Sequence, residues 1–226
     1  MFKYAVSDIH GCHRTFSALL DRIALSTADE LFLLGDYIDR GPASRQVLDM
    51  MLELRAGGYQ VRCIKGNHED AMLLSRYDGT LAQAWYHQWG GRETIRSFGV
   101  SDLSMIPTAY LSMLETMPLY LEAEPYILVH AGLGFRGGDP LAGYHDMLYL
   151  RDWHAETDRD WLGNRIVLHG HTPVTKSEIE RQLRVLEDAQ VLDIDAGCFQ
   201  KGRPGYGHLC AFEMTGRRLF FQENIE

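Results

Sequence analysis

Three short clusters of acidic, amide and imidazole residues follow one another in the first third of the chain: Ser7-Asp8-Ile9-His10-Gly11, Gly35-Asp36-Tyr37-Ile38-Asp39-Arg40-Gly41 and Gly66-Asn67-His68-Glu69. Two later segments, His130-Ala131-Gly132 and His169-Gly170-His171-Thr172, supply further imidazoles. This order points to a dinuclear metal site that cleaves phosphate esters. Two divalent cations need oxygen and imidazole donors delivered from several loops and held rigidly, with an open edge where a phosphate and a water can sit. A single aspartate after a strand is commonly a helix cap or turn former; the joint use of all these residues is what argues for a metal site.

Each cluster begins where an apolar run ends. Phe2 to Val6 and Leu31 to Leu34 read as short buried strands, and Val61 to Ile64 as a weaker one. Between the first two, Phe16, Leu19, Leu20 and Ile23 recur at helical spacing; after Pro42, Val47, Leu48, Met51, Leu52 and Leu54 do likewise until Gly57-Gly58. Such alternation predicts an α/β fold with a largely parallel sheet and the site at the carboxyl ends of its strands. From Glu69 to Glu124 no strand pattern is evident, and the Leu, Met, Trp and Tyr content predicts a helical cap beside the site, broken at Gly90-Gly91, Gly99 and Pro107. Strand character returns in Tyr126 to Val129, Ile166 to Leu168 and Val191 to Ile194, and a hairpin closes the chain, His208 to Glu213 with Arg218 to Gln222.

With 226 residues, 46% of them hydrophobic, one domain spanning 1–226 is expected. A formal charge of -9 argues against binding to nucleic-acid polymers, which rests on basic surface. Carboxylates such as Asp8 and Asp36 would be neutralised by the cations they hold. Cys12, Cys63, Cys198 and Cys210 form no Cys-x-x-Cys pair and read as reduced thiols. With no uninterrupted apolar run of about 18 residues, a cytoplasmic protein without a membrane segment is expected.

Taken together, the ordered motifs resemble those of the PPP family of metal-dependent phosphoprotein phosphatases, within the calcineurin-like metallophosphoesterase superfamily, closest to the small bacterial and phage lambda type. The family pattern is Gly-Asp-x-His-Gly, Gly-Asp-x-x-Asp-Arg-Gly, Gly-Asn-His-Glu, His-Ala and Gly-His-Thr, and the order here is the same, with Ser7 standing where the family has glycine. The resemblance covers nearly the whole chain and implies a β-sandwich flanked by helices. It implies that Asp8 and His10 hold a first metal, that Asp36 bridges to a second, and that Asn67, His130 and His171 complete the second. One shared carboxylate suits a separation of roughly 3.5–4 Å and a bridging hydroxide placed for in-line attack. It further implies His68 as general acid, Asp39 orienting it, and Arg40 and Arg151 gripping phosphate oxygens. Arg151 matches only a short element, here preceded by Tyr149 and Leu150. Asp195, in Asp193-Ile194-Asp195-Ala196-Gly197, resembles a late family element and reads as structural.

The implied activity is hydrolysis of phosphoserine or phosphothreonine in proteins, with phosphotyrosine also accepted, using two divalent ions: manganese first, iron or zinc as alternatives. A symmetrical dinucleoside tetraphosphate hydrolase ranks second, because that branch typically lacks an aspartate at the position of Asp39 and is longer. A broader phosphoesterase ranks third. A noncatalytic phosphoprotein-binding module is disfavoured by retention of His68 and Arg40, since binding alone requires no proton donor. His13, His87, His145, His154, His169 and His208 are read as structural or surface residues, and Trp85, Trp89, Met105 and Met113 as core packing.

Overall fold

The computed structural model describes residues 1–226. Nine strands run in the order β1 (Lys3–Val6), β2 (Glu30–Leu33), β3 (Gln60–Cys63), β4 (Tyr120–Ala123), β5 (Tyr126–Val129), β6 (Ile166–His169), β7 (Val191–Asp193), β8 (His208–Glu213) and β9 (Arg218–Glu223). They form a five-stranded sheet, β3-β2-β1-β8-β9, and a four-stranded sheet, β4-β5-β6-β7. The helices are α1 (His13–Arg22), α2 (Ser44–Ala56), α3 (Asn67–Leu74), α4 (Gly79–Gln88), α5 (Gly91–Phe98), α6 (Thr108–Glu115), α7 (Tyr144–Tyr149), α8 (Arg159–Leu162), α9 (Lys176–Arg184) and α10 (Leu186–Ala189).

The period of two along each strand explains the layering. Tyr4 and Val6 of β1, with Leu31 and Leu33 of β2, pack outward against Phe16 and Leu19 of α1 and Val47, Leu48 and Met51 of α2. The intervening Ala5 and Phe32 turn inward and meet Tyr126, Leu128, Ile166 and Leu168 of the other sheet. On that sheet's far face Ile127, Val129 and Val167 pack against Met147, Trp153 and Leu162. Apolar residues on both faces make these strands continuous hydrophobic runs, and each fully buried side chain contributes about 1.5–3 kcal/mol.

Two expectations are corrected here. The strands do not form one largely parallel sheet: β1, β2 and β3 are parallel, as are β5, β6 and β7, but β8 joins β1 antiparallel and β4 joins β5 antiparallel. The helical cap, α3 to α6, is present, but the region expected to lack strands ends in β4. Tyr120 and Leu121 are only partly buried and Glu122 is exposed on this edge strand, so it lacks the apolar continuity of a central strand. The β-sandwich flanked by helices and the closing hairpin agree with expectation.

Candidate metal centre

Nine of the ten candidate residues follow the carboxyl end of a parallel strand or open the helix after it: Asp8 and His10 beyond β1, Asp36, Asp39 and Arg40 beyond β2, Asn67 and His68 at the start of α3 after β3, His130 beyond β5 and His171 beyond β6; Arg151 instead follows α7. The two sheets thus point both sets of loops at one place. The turns are tight: Asp8, His10, Asp36, Asp39, Arg40 and His171 all adopt positive φ, between 47° and 72°. Such conformations persist where the surroundings enforce them. Here the first two loops are bonded to each other, His10 N–H to Asp36 C=O at 2.8 Å and Gly11 N–H to Tyr37 C=O at 2.8 Å. Glu69 braces the second loop, its buried carboxylate accepting from the N–H groups of Asp36, Tyr37 and Gly66 at 2.9, 2.8 and 3.0 Å. A side chain at Gly66 would collide with the Asp36 carboxylate, so the closeness of these loops requires glycine there. Ser7 does not adopt positive φ, and its hydroxyl donates to Asp8 Oδ2, so serine fits where the family has glycine.

Asp36 lies at the centre. Its Oδ2 is 3.5 Å from His10 Nε2 and 3.8 Å from His68 Nε2, and its Oδ1 is 3.4 Å from His130 Nε2. Two groups have metal-binding spacing, His10 with Asp36 and His68, and Asp36 with His130 and His171. Asp8 stands on the first side, Oδ1 3.9 Å from His10 Nε2. Asn67 Oδ1 stands on the second, 2.9 Å from His130 Nε2 and 2.9 Å from His171 Nδ1.

These residues fit a pair of cations. Asp8 Oδ1 and His171 Nε2 are buried polar atoms with no hydrogen-bond partner, a costly state unless something binds them. His10 and His130 donate Nδ1–H to the main-chain carbonyls of Ile38 and Leu34, which leaves each Nε2 lone pair facing Asp36. Burial lowers the pKa of His10 and His171 well below the ordinary value, so both imidazoles are already in the unprotonated form that coordinates. Burial, reinforced by the Asp8 charge, raises Asp36; a cation between the two carboxylates would relieve that repulsion.

Around this centre sit His68, Asp39, Arg40 and Arg151. His68 Nδ1 lies 2.8 Å from Asp39 Oδ2, which also accepts the indole N–H of Trp85 at 2.8 Å, while Asp39 Oδ1 accepts the hydroxyl of Thr94 at 2.6 Å. Burial pushes Asp39 up to about 8 and His68 down to about 4. Burial therefore opposes charge separation here, while three donors aimed at Asp39 favour its carboxylate form. Arg40 Nη1 is 3.0 Å from His10 Nε2, and its guanidinium stacks on Phe199 with Cζ 4.1 Å from the ring centroid. Arg151 is exposed and bonds Thr172 Oγ at 3.0 Å, directly beside His171.

All ten candidate residues thus gather at one site. Trp85, Thr94 and Phe199 belong there too and were missed. Trp85 and Thr94 lie in α4 and α5 with no motif around them, and nothing in the sequence marks Phe199 except its place after Ala196-Gly197-Cys198. Asp195 is buried and braces Gly197 N–H at 2.8 Å. His169 points elsewhere, its Nε2 2.7 Å from His154 Nε2.

Comparison with known proteins refines the picture. The chain is 40% identical over 178 residues to a symmetrical bis(5'-nucleosyl)-tetraphosphatase of Chromohalobacter salexigens, covering 76% of this chain and 59% of the relative. It is 38% identical over 135 residues to the protein of the same name from Nitrosomonas europaea, covering 59% of this chain and 45% of the relative. The chain thus spans about half the length of these relatives. An asymmetrical bis(5'-nucleosyl)-tetraphosphatase of Bacillus subtilis is 26% identical over 223 residues, covering 85% of this chain and 84% of the relative. Among solved structures, a protein serine/threonine phosphatase from Saccharomyces cerevisiae superposes with a TM-score of 0.65 at 14% identity, covering all of this chain and 81% of that one; at that identity the likeness shows the fold alone.

These relatives overturn the expectation of a phosphoprotein phosphatase. Ranking by Asp39 and by length placed the nucleotide hydrolase second, yet the relatives at 38% and 40% identity are named tetraphosphatases, and the likeness to the protein phosphatase at 14% identity shows the fold alone. The pattern described as calcineurin-like phosphoesterase matches residues 4–202, and the chain belongs to that family.

Proposed function

We propose that this chain is a divalent-metal-dependent hydrolase of dinucleoside tetraphosphates that cleaves at the middle of the polyphosphate and releases two nucleoside diphosphates. The observation that carries this reading is the agreement in name among relatives up to 40% identical, joined to a centre whose Asp36 faces imidazoles on both sides. Symmetrical cleavage is favoured because the two relatives at 38% and 40% are named symmetrical.

The family implies a dinuclear divalent-metal centre, and we assign Asp8, His10, Asp36, Asn67, His130 and His171 to it, with manganese as the metal. Two cations there would polarise the phosphoryl oxygens and supply an activated water. Arg40 and Arg151 bind the non-bridging phosphate oxygens, and on the His10 side Arg40 gives up its contact with Nε2 to do so. As the oxygen of water bonds to phosphorus, the bond from phosphorus to the bridging oxygen breaks; His68 donates a proton to the departing diphosphate, and the proton that the attacking water gives up restores it. Asp39, fixed by Trp85 and Thr94, holds the His68 ring for that transfer.

The test is to strip the protein with chelator, restore manganese and incubate it with diadenosine tetraphosphate. ADP as the sole nucleotide product supports the reading. Equal AMP and ATP would move it to asymmetrical cleavage, and no turnover by the metal-loaded protein would overturn it. Asp36→Asn should lose both activity and bound metal; full metal occupancy in that variant would contradict the central place given to Asp36.

A further inference from the structure

Four aromatic rings form a row along the edge of the metal centre: Trp89, His68, His10 and Phe199, with successive ring centroids 6.0, 4.7 and 5.1 Å apart. The two ends differ. Phe199 has a partner, the guanidinium of Arg40 stacked 4.1 Å from its centroid. Trp89, the residue after α4, is only partly buried, and its indole N–H bonds to no protein group, whereas Trp85, four residues earlier in α4, is buried and donates its N–H to Asp39. The turn that carries Trp89 is fixed against the site: Gly90 has φ 97°, and a side chain there would collide with the main chain of Arg40. The fold therefore holds beside the proposed proton donor an indole ring that packs partly on the core and keeps part of its surface open.

We infer that Trp89 is the stacking platform for the nucleobase of the departing nucleotide. This rests on the proposed hydrolase reading and deepens it. A group that takes its proton from His68 leaves on the His68 side of the row, so a nucleoside attached to it extends toward Trp89 and away from Phe199. Every nucleobase offers a π-face, and an aromatic platform accepts it without hydrogen-bond readout. The site would accordingly select nucleoside polyphosphates over base-free polyphosphates while discriminating weakly between one purine and another. Arg40 and the cations would bind the phosphate part of either ligand alike.

The experiment is calorimetric binding of ADP and of inorganic pyrophosphate to manganese-loaded wild type, Trp89→Phe and Trp89→Leu, with metal content measured for each. Wild type should bind ADP at least ~5-fold more tightly than pyrophosphate, the lower end of the roughly 5- to 150-fold that stacking of one base supplies. Trp89→Phe should keep most of that preference. Trp89→Leu, which fills the position without an aromatic face, should lose it while binding pyrophosphate as before. A wild-type protein indifferent to the base, a preference that survives in Trp89→Leu, or equal weakening toward both ligands would each overturn the inference. Turnover of diadenosine tetraphosphate is followed in parallel. Lack of turnover with the Trp89-dependent preference intact would strike the hydrolase reading alone, and turnover without such a preference would strike this inference alone.

Discussion

Asp39 and His68 form a buried pair, Oδ2 to Nδ1 at 2.8 Å, that joins the second loop to α3 across the rim of the metal centre. The pair is more than a contact between neighbours. Asp39 is fully enclosed and held by Trp85 and Thr94 from the cap, so the cap sets the direction in which the imidazole points.

Replacing Asp39 by Asn should therefore act on turnover and spare metal binding. The amide cannot accept from His68, Trp85 and Thr94 together, and the ring loses its fixed tautomer and orientation. Since positioned acid catalysis contributes about 10²–10⁴-fold, kcat should fall at least ~10-fold with metal content unchanged. Trp85→Phe, which removes one donor and keeps the packing, should lower kcat by a smaller factor. Metal analysis beside steady-state kinetics decides; loss of metal in Asp39→Asn would show that the residue shapes the cation site itself.

Glu69 predicts the opposite pattern. Its carboxylate is the acceptor for four main-chain N–H groups, those of Asp36, Tyr37, Ile38 and Gly66, that fold the Asp36 loop onto α3. In Glu69→Gln an amide N–H₂ would face some of those donors. Hydrogen bonds to a charged group contribute about 1.5–3 kcal/mol each, and a loss of about 3 kcal/mol corresponds to a Tm lower by roughly 6–12 °C in a domain of this size. Metal affinity should fall as well, because the braced loop carries Asp36. Thermal melts with and without manganese test this, and an unchanged Tm would contradict the bracing role.

Much of this arrangement was legible because four of the strands that lead into the candidate residues, β1, β2, β5 and β6, are largely buried on both faces, whereas β3, with Gln60 and Arg62 exposed, is not and reads more weakly. The apolar runs of those four are continuous, and they stop just before the loops that carry Asp8, Asp36, His130 and His171. That same continuity hid the split into two sheets: with Tyr4 and Val6 on one face of β1 and Ala5 on the other all apolar, nothing in the strand tells which neighbour covers it. The edge strand β4 carries too little buried surface to announce itself. Trp85 and Thr94 reach Asp39 over separations of 46 and 55 residues, so their role depends on how the cap docks, which no local pattern encodes. Substrate class was the least legible feature, because the same metal ligands serve several phosphate chemistries.

Metal-free protein should lose stability above neutral pH. Burial raises Asp36 and Glu69 and pushes Asp39 up to about 8, so these carboxyls favour the folded state fully only below the ordinary carboxylate range, and their contribution is lost as pH rises through their folded values. Histidines held low by burial, His68 at about 4 and His169 at about 3, act the other way and gain in the folded state's favour up to about pH 6.5, where the unfolded chain stops binding their protons. The two effects oppose each other in acid. Above about pH 6.5 only the carboxyl effect remains, so Tm of chelator-treated protein should fall between about pH 6.5 and 8.5. Manganese should reduce that fall by compensating the carboxylates. A metal-free Tm that rises across this interval would refute the assignment of raised carboxyls.

Arg151 offers the sharpest separation of charge from shape. Its guanidinium is exposed and tethered by one bond to Thr172, the residue after His171, so the fork of donors stands beside the cation site with most of its N–H groups free. A phosphate oxygen arriving there can be bound by two parallel N–H groups, which an ammonium cannot reproduce. Arg151→Lys keeps the charge and loses the fork, whereas Arg151→Ala loses both. If the residue grips phosphate in the ground state and transition state alike, KM for diadenosine tetraphosphate should rise by about 10-fold in the alanine variant and by an intermediate factor in the lysine variant, with kcat nearly constant. If it binds mainly the charge that develops at phosphorus, kcat falls and KM holds. Unchanged kinetics in both variants would remove Arg151 from the site and leave Arg40, seated on Phe199, as the protein's sole guanidinium at the phosphate.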